Sequence, residues 1–274
     1  MSVVLGLLVG LVLGLTGAGG SVFAVPLLVF GLGWTPLQAA PVALIAVCVA
    51  AAFGTVVAWD LSFVRYRAAL LMSFVGLFTA PLGLLLGLHL PAPALGVLFA
   101  GVLVVVATRM WLQARRHPQD ARVVRATVHS ESADDARGGP LCRSSVDSGR
   151  LLWTPRCASA IVGIGAGSGF LSGLLGVGGG FVIVPALRAT TTLSVHSAVA
   201  TSLMAIALTS AGTVATMLAF GRPLPWLVAL PFVAGALGGM LAGRRLAPRL
   251  AGPLMQQCFA VLMLIAAFAL LTRT

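Results

Sequence analysis

Apolar runs of nearly uniform length follow one another along the whole chain. They cover residues 3–33, 38–58, 68–88, 92–112, 158–187, 196–220, 226–243 and 254–271. Most approach the ~20 residues that a helix needs to cross the hydrocarbon of a bilayer. The first and fifth runs are longer than the others, and Gly-rich sequence interrupts both. The pattern predicts an all-α polytopic membrane protein with about eight hydrophobic segments, the first segment of each half being broken by glycine.

Composition and charge narrow the class of protein further. The chain has 274 residues, of which 59% are hydrophobic and 8% charged, too few charges to cover the surface of a soluble domain. Of its 17 basic and 6 acidic residues, 13 lie between residues 113 and 157, and the other ten lie at or near the ends of apolar runs. The net charge of +11 therefore does not indicate nucleic-acid binding, because these Arg residues flank membrane segments and form no basic face.

The two membrane regions repeat each other. Residues 14–26 (GLTGAGGSVFAVP) align with residues 173–185 (GLLGVGGGFVIVP) at a constant offset of 159. A repeat split by one charged segment is typical of transporters. We therefore divide the chain into an N-terminal membrane repeat (1–112), a cytoplasmic polar linker (113–157) and a C-terminal membrane repeat (158–274).

Two topologies are open for the Gly-interrupted runs. If the fifth run crosses the membrane once, four Arg residues of the second half lie outside and two lie inside. If it turns back as a re-entrant hairpin, the assignment reverses and agrees better with the rule that Arg collects on the cytoplasmic side. The four are Arg188, Arg244, Arg245 and Arg249, and the two are Arg222 and Arg273. The hairpin is favoured, and it makes the halves inverted repeats, each with a hairpin and three crossings.

The Gly-rich interruptions are the predicted binding site. Gly and Pro disfavour a continuous helix, and unwound backbone at membrane depth persists only inside protein or along a cavity. Exposed N–H groups and the positive end of the following half-helix can then bind an anion. The predicted substrate-binding residues are Gly17, Gly19, Gly20, Ser21, Gly176, Gly178, Gly179, Gly180, Thr201 and Ser202.

Each of these features also has a structural explanation. Gly6, Gly10 and Gly14 are spaced four apart, as are three glycines of the second half, Gly165, Gly169 and Gly173. This spacing favours close helix packing. Ser and Thr hydroxyls in membrane helices commonly bond a carbonyl of their own helix, which is the alternative for Thr201 and Ser202.

The sequence gives little support for a catalytic site or a metal site. The four Cys residues form no CxxC pair and are interpreted as packing or loop cysteines. The Gly176–Gly180 segment lacks the Lys of a phosphate-binding loop, and no carboxylate pair or metal cluster lies within the runs. We predict that the chain is not an enzyme and uses no cofactor or metal.

The repeated segment resembles the sulfite exporter TauE/SafE family. The resemblance rests on residues 173–185, on Ala200-Thr201-Ser202-Leu203 and on Gly235-Ala236-Leu237-Gly238-Gly239, and it extends over nearly the whole chain outside the linker. It implies transport of small sulfur-containing anions, such as sulfite, thiosulfate or organosulfonates, across the bacterial inner membrane. The first half departs from the pattern, because Ser21 replaces Gly180 and Pro41-Val42-Ala43 replace Ala200-Thr201-Ser202, so we expect the second half-site to be the more polar.

The resulting hypothesis is a secondary transporter, an exporter of small anions, with alternating access between the halves. The partners are the anion and the lipid bilayer, and a homo-oligomer is compatible with this interpretation. The alternatives are a passive anion channel and a membrane partner protein without a transport cycle.

Overall fold

A computed structural model describes residues 1–16, 20–59, 65–116, 142, 154–191, 195–221, 224–250 and 253–272. Within these ranges the chain forms ten helices, five in each half, and the second helix of each half is its shortest. They are α1 (Ser2–Thr16), α2 (Gly20–Leu32), α3 (Pro36–Trp59), α4 (Tyr66–His89), α5 (Ala92–Arg116), α6 (Pro155–Leu175), α7 (Gly180–Thr190), α8 (Val195–Ala219), α9 (Trp226–Leu250) and α10 (Pro253–Leu271). The prediction of an all-helical membrane protein is confirmed for the described part of the chain.

Five of the described helices are long and apolar enough to cross a membrane. The qualifying segments are Gln38–Val57, Tyr66–His89, Pro155–Leu175, Ser197–Ala219 and Trp226–Leu246. Four further apolar helices are shorter: Ser2–Leu15, Gly20–Leu32, Pro93–Arg109 and Gln257–Leu271. The structure thus divides both of the long runs into two helices each, and the count of eight segments stays a prediction.

Each interrupted run forms a helical hairpin. A Cβ atom built on Gly31, near the end of α2, would lie 2.6 Å from Leu5 Cδ1, near the start of α1. At the other end of this pair, Gly20 contacts the backbone of Leu13. The helices α1 and α2 are therefore antiparallel, and α2 ends at the level where α1 begins.

The helices α6 and α7 are arranged in the same way. Gly179, just before α7, contacts the carbonyl of Ser168, so the chain has already turned back along α6 before α7 starts. The far end of α7 returns to the start of α6, because Cys142 N–H donates to Thr190 O at 2.9 Å and Cys142 is disulfide-bonded to Cys157. The second pair is thus also a hairpin whose two ends lie together.

Each hairpin packs against the opposite half through a row of glycines, and we call these two rows the glycine seams. The helix α1 packs on α9, and α6 packs on α4. The glycines spaced four apart lie at these contacts, where an added Cβ would meet a carbonyl of the neighbouring helix. The pairs are Gly6 with Phe232, Gly10 with Ala236, Gly14 with Met240, Gly165 with Met72, Gly169 with Gly76, and Gly173 with Ala80. The predicted packing role of these glycines is confirmed: without side chains, the two backbones approach closely enough to gain dispersion contacts.

The helices α3 and α8 pack against each other and join the two halves. Here Cys48 Sγ donates to Ala207 O at 3.4 Å, and the two residues are 159 positions apart, the same offset as in the sequence repeat. The start of α3 is capped, since Thr35 N–H donates to Gln38 Oε1 at 3.2 Å and Pro36 occupies the first helical position, an arrangement that favours a helix start. The core is continuous around these two helices and contains residues of both halves.

The structure corrects the interpretation of two cysteines. Cys142 and Cys157 are joined by a disulfide, with their Cα atoms 4.9 Å apart, rather than being independent packing or loop cysteines. A separation of 15 residues with no motif gave no sequence signal for this bond. Cys48 and Cys258 are free thiols.

Candidate functional site

The site is built around the interruption at Gly176–Gly180, which we call the second break. The helix α6 ends at Gly176 (φ 70°), whose N–H donates to Ser172 O at 2.9 Å. Gly178 and Gly179 follow with φ of 74° and 63°, a left-handed conformation that only glycine adopts at low cost. The chain can therefore leave α6, turn back and start α7 within four residues.

The second break presents backbone donors at the start of a helix. Gly179 is the N-cap of α7 and has no side chain to accept hydrogen bonds from the first turn. The first N–H groups of a helix have no carbonyl partner within it, and the helix dipole adds a partial positive charge at this end. All five residues from Gly176 to Gly180 are buried. A buried helix start of this kind favours an anionic ligand.

A buried hydroxyl without a partner faces the same place. Ser210 of α8 is 0% exposed, and its Oγ makes no hydrogen bond with any described residue. A Cβ built on Gly178 would lie 2.8 Å from this Oγ, so the hydroxyl is directed at the unwound backbone. Burying an unpaired hydroxyl costs about 1–3 kcal/mol, and a ligand that accepts its hydrogen bond would recover that cost.

The walls around the break combine apolar packing with paired hydroxyls. Val47 Cγ1 and Ile206 Cγ2 are the next atoms that an added Cβ on Gly178 would meet, at 3.1 and 3.8 Å. Between α6 and α8, Ser172 and Thr213 share a hydrogen bond of 3.3 Å. Such a site excludes water, which strengthens any hydrogen bond to a charged ligand.

The other predicted site residues occupy different positions. Gly17 and Gly19 lie outside the described residues. Gly20 begins α2, and Ser21 follows it fully buried. In the second half, Thr201 Oγ1 accepts a hydrogen bond from Arg65 N–H at 3.0 Å, and Ser202 Oγ donates to Ala198 O at 2.7 Å.

Thr201 and Ser202 are thus not brought to the second break. Thr201 is nine residues before Ser210 on α8, about 13 Å along a helix axis. The Ser202 hydroxyl bonds a carbonyl of its own helix, which was the structural alternative to a binding role. That both residues bind the substrate stays a prediction.

The two half-sites differ in polarity. The offset of 159 places Val9, Leu13 and Ala51 at the positions that correspond to Ser168, Ser172 and Ser210. Val9 and Leu13 are buried, so their region of the first half has an apolar wall where the second half carries hydroxyls. Comparing the halves position by position marks Ser168, Ser172 and Ser210 alike as hydroxyls with apolar counterparts, and only the contact with Gly178 distinguishes Ser210 among them.

Other features of the described residues do not compete with this site. No group of three or more His, Cys, Asp or Glu side chains among them could hold a metal ion. A groove of about 750 Å³ between α4 and α8 is lined by five apolar side chains, with Arg67 and Ser73 as its polar members. Ser73 Oγ already donates to Ala69 O at 2.7 Å, so the groove lacks the convergent donors of the second break.

Comparison with known proteins agrees with this architecture. The family described as "Sulfite exporter TauE/SafE" matches residues 2–270. A probable membrane transporter protein of Xylella fastidiosa strain Temecula1 is 31% identical over 272 residues, covering 97% of this chain and 92% of the relative. The probable membrane transporter protein YunE of Bacillus subtilis strain 168 is 29% identical over 251 residues, covering 87% and 85%. No solved structure matches the chain. The chain therefore belongs to the TauE/SafE sulfite exporter family of multi-pass membrane transporters.

Proposed function

We propose that the chain is a secondary transporter of small anions and that the second break, together with Ser210, binds the anion. The observation that carries this proposal is the buried, unpartnered Ser210 hydroxyl beside Gly178. The start of α7 lies at the same place and supplies N–H groups and a positive helix end. All of these groups are donors, so the preferred ligand carries several acceptors and a negative charge.

The chemistry of the break favours a compact oxyanion. Sulfite, thiosulfate and small sulfonates present three oxygens on one sulfur-centred group, which suits donors that converge on one point. The description of the family as sulfite exporters supports the same substrate class and an outward direction. Neutral donors also suit release, because an anion held by N–H and O–H groups leaves more readily than one paired with a buried cation.

We propose that the two halves are inverted in the membrane. A hairpin returns to the side on which it started, and three crossings follow it, so successive halves begin on opposite sides. This arrangement places the ends of the α6/α7 hairpin on the Arg-rich side with the linker and with Arg244, whose Nη1 donates to Gly54 O at 2.7 Å. By the positive-inside rule that side is the cytoplasm of a bacterial inner membrane.

A labelling experiment tests this orientation. In a chain whose four native cysteines are replaced by serine, the cysteine introduced by Arg245→Cys, at an exposed position near the end of α9, is expected to react with an impermeant maleimide only after the cytoplasmic face is opened. Phe220 directly follows the end of α8, and its side chain is 51% exposed. The Phe220→Cys variant serves as the matched control and should react in intact cells. Labelling of both variants from the same side would contradict the inverted arrangement.

Flux through purified protein in liposomes tests the function. Labelled sulfite and thiosulfate are expected to show saturable uptake that is sensitive to an imposed pH gradient. Flux that rises linearly with concentration and never saturates would contradict a carrier and indicate a pore.

The Ser210→Ala substitution tests the binding site. We expect transport at low substrate to fall roughly 10-fold or more, since a hydrogen bond to a charged group contributes about 1.5–3 kcal/mol. Thermal stability should stay equal or rise, because the hydroxyl has no protein partner to lose. Ser73→Ala is the matched control: its hydroxyl is paired with its own helix, so transport should be retained. Full activity of Ser210→Ala would remove this residue from the site.

A further inference from the structure

One linker residue holds both ends of the α6/α7 hairpin. Cys142 is bonded through its sulfur to Cys157, in the first turn of α6. Through its backbone it donates to Thr190 O at 2.9 Å and pairs as an isolated parallel bridge with Thr191, at the end of α7. Both sulfur-bearing residues are 0% exposed. The disulfide thus closes a clasp, formed by Cys142, Cys157 and Thr190, at the end of the hairpin opposite the second break.

The position of this clasp conflicts with a permanent disulfide. The Arg distribution places the clasp on the cytoplasmic side, where thiols are kept reduced and where disulfides, when they occur, are transient or redox-sensing. A cytoplasmic pair whose Cα atoms lie 4.9 Å apart is within the range for bond formation without backbone movement. The two observations are reconciled if the bond is reversible.

We infer that Cys142 and Cys157 form a reversible redox-modification site that restrains the α6/α7 hairpin, and that its oxidant is a small-molecule disulfide such as oxidised glutathione. One cysteine thiolate attacks the small disulfide and forms a mixed disulfide, releasing one thiol. The second cysteine then attacks the mixed disulfide, forms the Cys142–Cys157 bond and releases the second thiol. Two protein thiols are oxidised and one small disulfide is reduced to two thiols.

The clasp acts on the element that carries the second break. With the bond closed, the end of α7 is held against the start of α6 through Cys142. With the bond open, the backbone bridge still joins Cys142 to the end of α7, but no disulfide joins Cys142 to α6, so the end of α7 is held against α6 by their direct packing alone. The reversibility of the bond rests on the proposed orientation and the effect on transport on the proposed function, whereas the tag counts are measured independently of both.

The thiol state is measured by mass-tagging. Full-length protein is trapped with acid in its native cells, denatured and tagged with a polyethylene-glycol maleimide that shifts its mass once per free thiol. Because the chain has four Cys residues, we expect four tags from normally growing cells and two after exposure of the membranes to oxidised glutathione. The Cys142→Ser/Cys157→Ser double variant should show two tags under both conditions. Two tags in unstressed cells, or four after oxidation, would overturn the inference.

The restraint is measured by flux in proteoliposomes held at reducing or oxidising glutathione ratios. We expect the oxidised protein to transport sulfite at least about fivefold more slowly, the lower end of typical coupling between sites, and Cys142→Ser to be insensitive to the ratio. Equal flux in both states would overturn the restraint. If sulfite flux is missing in every state, the proposed substrate fails, and the tag counts still decide whether the redox site exists.

Discussion

Replacing Gly179 by leucine is expected to abolish anion transport while leaving a folded protein in the membrane. Gly179 has φ 63°, where a residue with a side chain pays roughly 1–2 kcal/mol. Its Cβ would also collide with the Ser168 carbonyl, whose carbon would be only 2.9 Å away. The chain between α6 and α7 must then move, and the donors of the second break move with it. The measurement is sulfite flux per folded molecule in liposomes.

Two control variants separate the causes of this loss. Gly163→Leu adds the same side chain on α6 at a position where a Cβ meets nothing within 4 Å, so both fold and flux should persist. Gly221→Leu imposes the same backbone strain at φ 69° in open space, so it should cost a little stability and no transport. Full activity of Gly179→Leu would contradict the assignment of the second break as the binding site.

The second large effect is expected at the glycine seams. In Gly10→Leu, the new side chain would meet the Ala236 backbone of α9, whose carbonyl carbon lies 2.7 Å from the Cβ position. Overpacking a tight contact typically costs 1–3 kcal/mol and occasionally more, and here the obstacle is backbone, which cannot change rotamer. We expect a clear fall in melting temperature in detergent and loss of most assembled protein.

The seam between α6 and α4 allows the same stability measurement at the equivalent contact of the other hairpin. Gly169→Leu should be destabilising to a similar degree, because Gly169 meets Gly76 of α4 in the same geometry. Gly101→Leu on α5 is the control, since nothing lies within 4 Å of its Cβ position. If either seam variant melted at the same temperature as the unmodified protein, the two packed helices could move apart to admit the new side chain without loss of stability. That result would contradict the prediction.

Much of the fold could be predicted from local rules. Membrane solvation fixes the approximate length of an apolar helix, and a spacing of four aligns glycines on one helix face, so α3, α4 and the seams were accessible from sequence. The division of the long runs followed from Gly176–Gly180, whose composition disfavours helix. Their hairpin geometry was favoured by Arg positions alone and is now visible in the contacts between Gly31 and Leu5.

The remaining features depend on which distant residues meet. Ser210 looks like any serine in an apolar helix, and only the approach of Gly178 from another helix distinguishes it from Ser202, which bonds its own backbone. The Cys142–Cys157 bond arises because the end of the hairpin returns to its start, a tertiary fact that spacing cannot encode. The first predicted segment does not appear as one span because the structure divides it into the two shorter helices α1 and α2.

The crossed packing of the seams also sets an order for assembly during synthesis. The partner of α6 is α4, which is already in the membrane when α6 emerges, whereas the partner of α1 is α9. About 210 residues separate the end of α1 from the start of α9, which corresponds to roughly 10–40 s of translation at ~5–20 residues per second. The glycine face of the first hairpin therefore has no helix packed on it during this time. Lipid or an insertion factor must cover that face until the ribosome has nearly finished the chain.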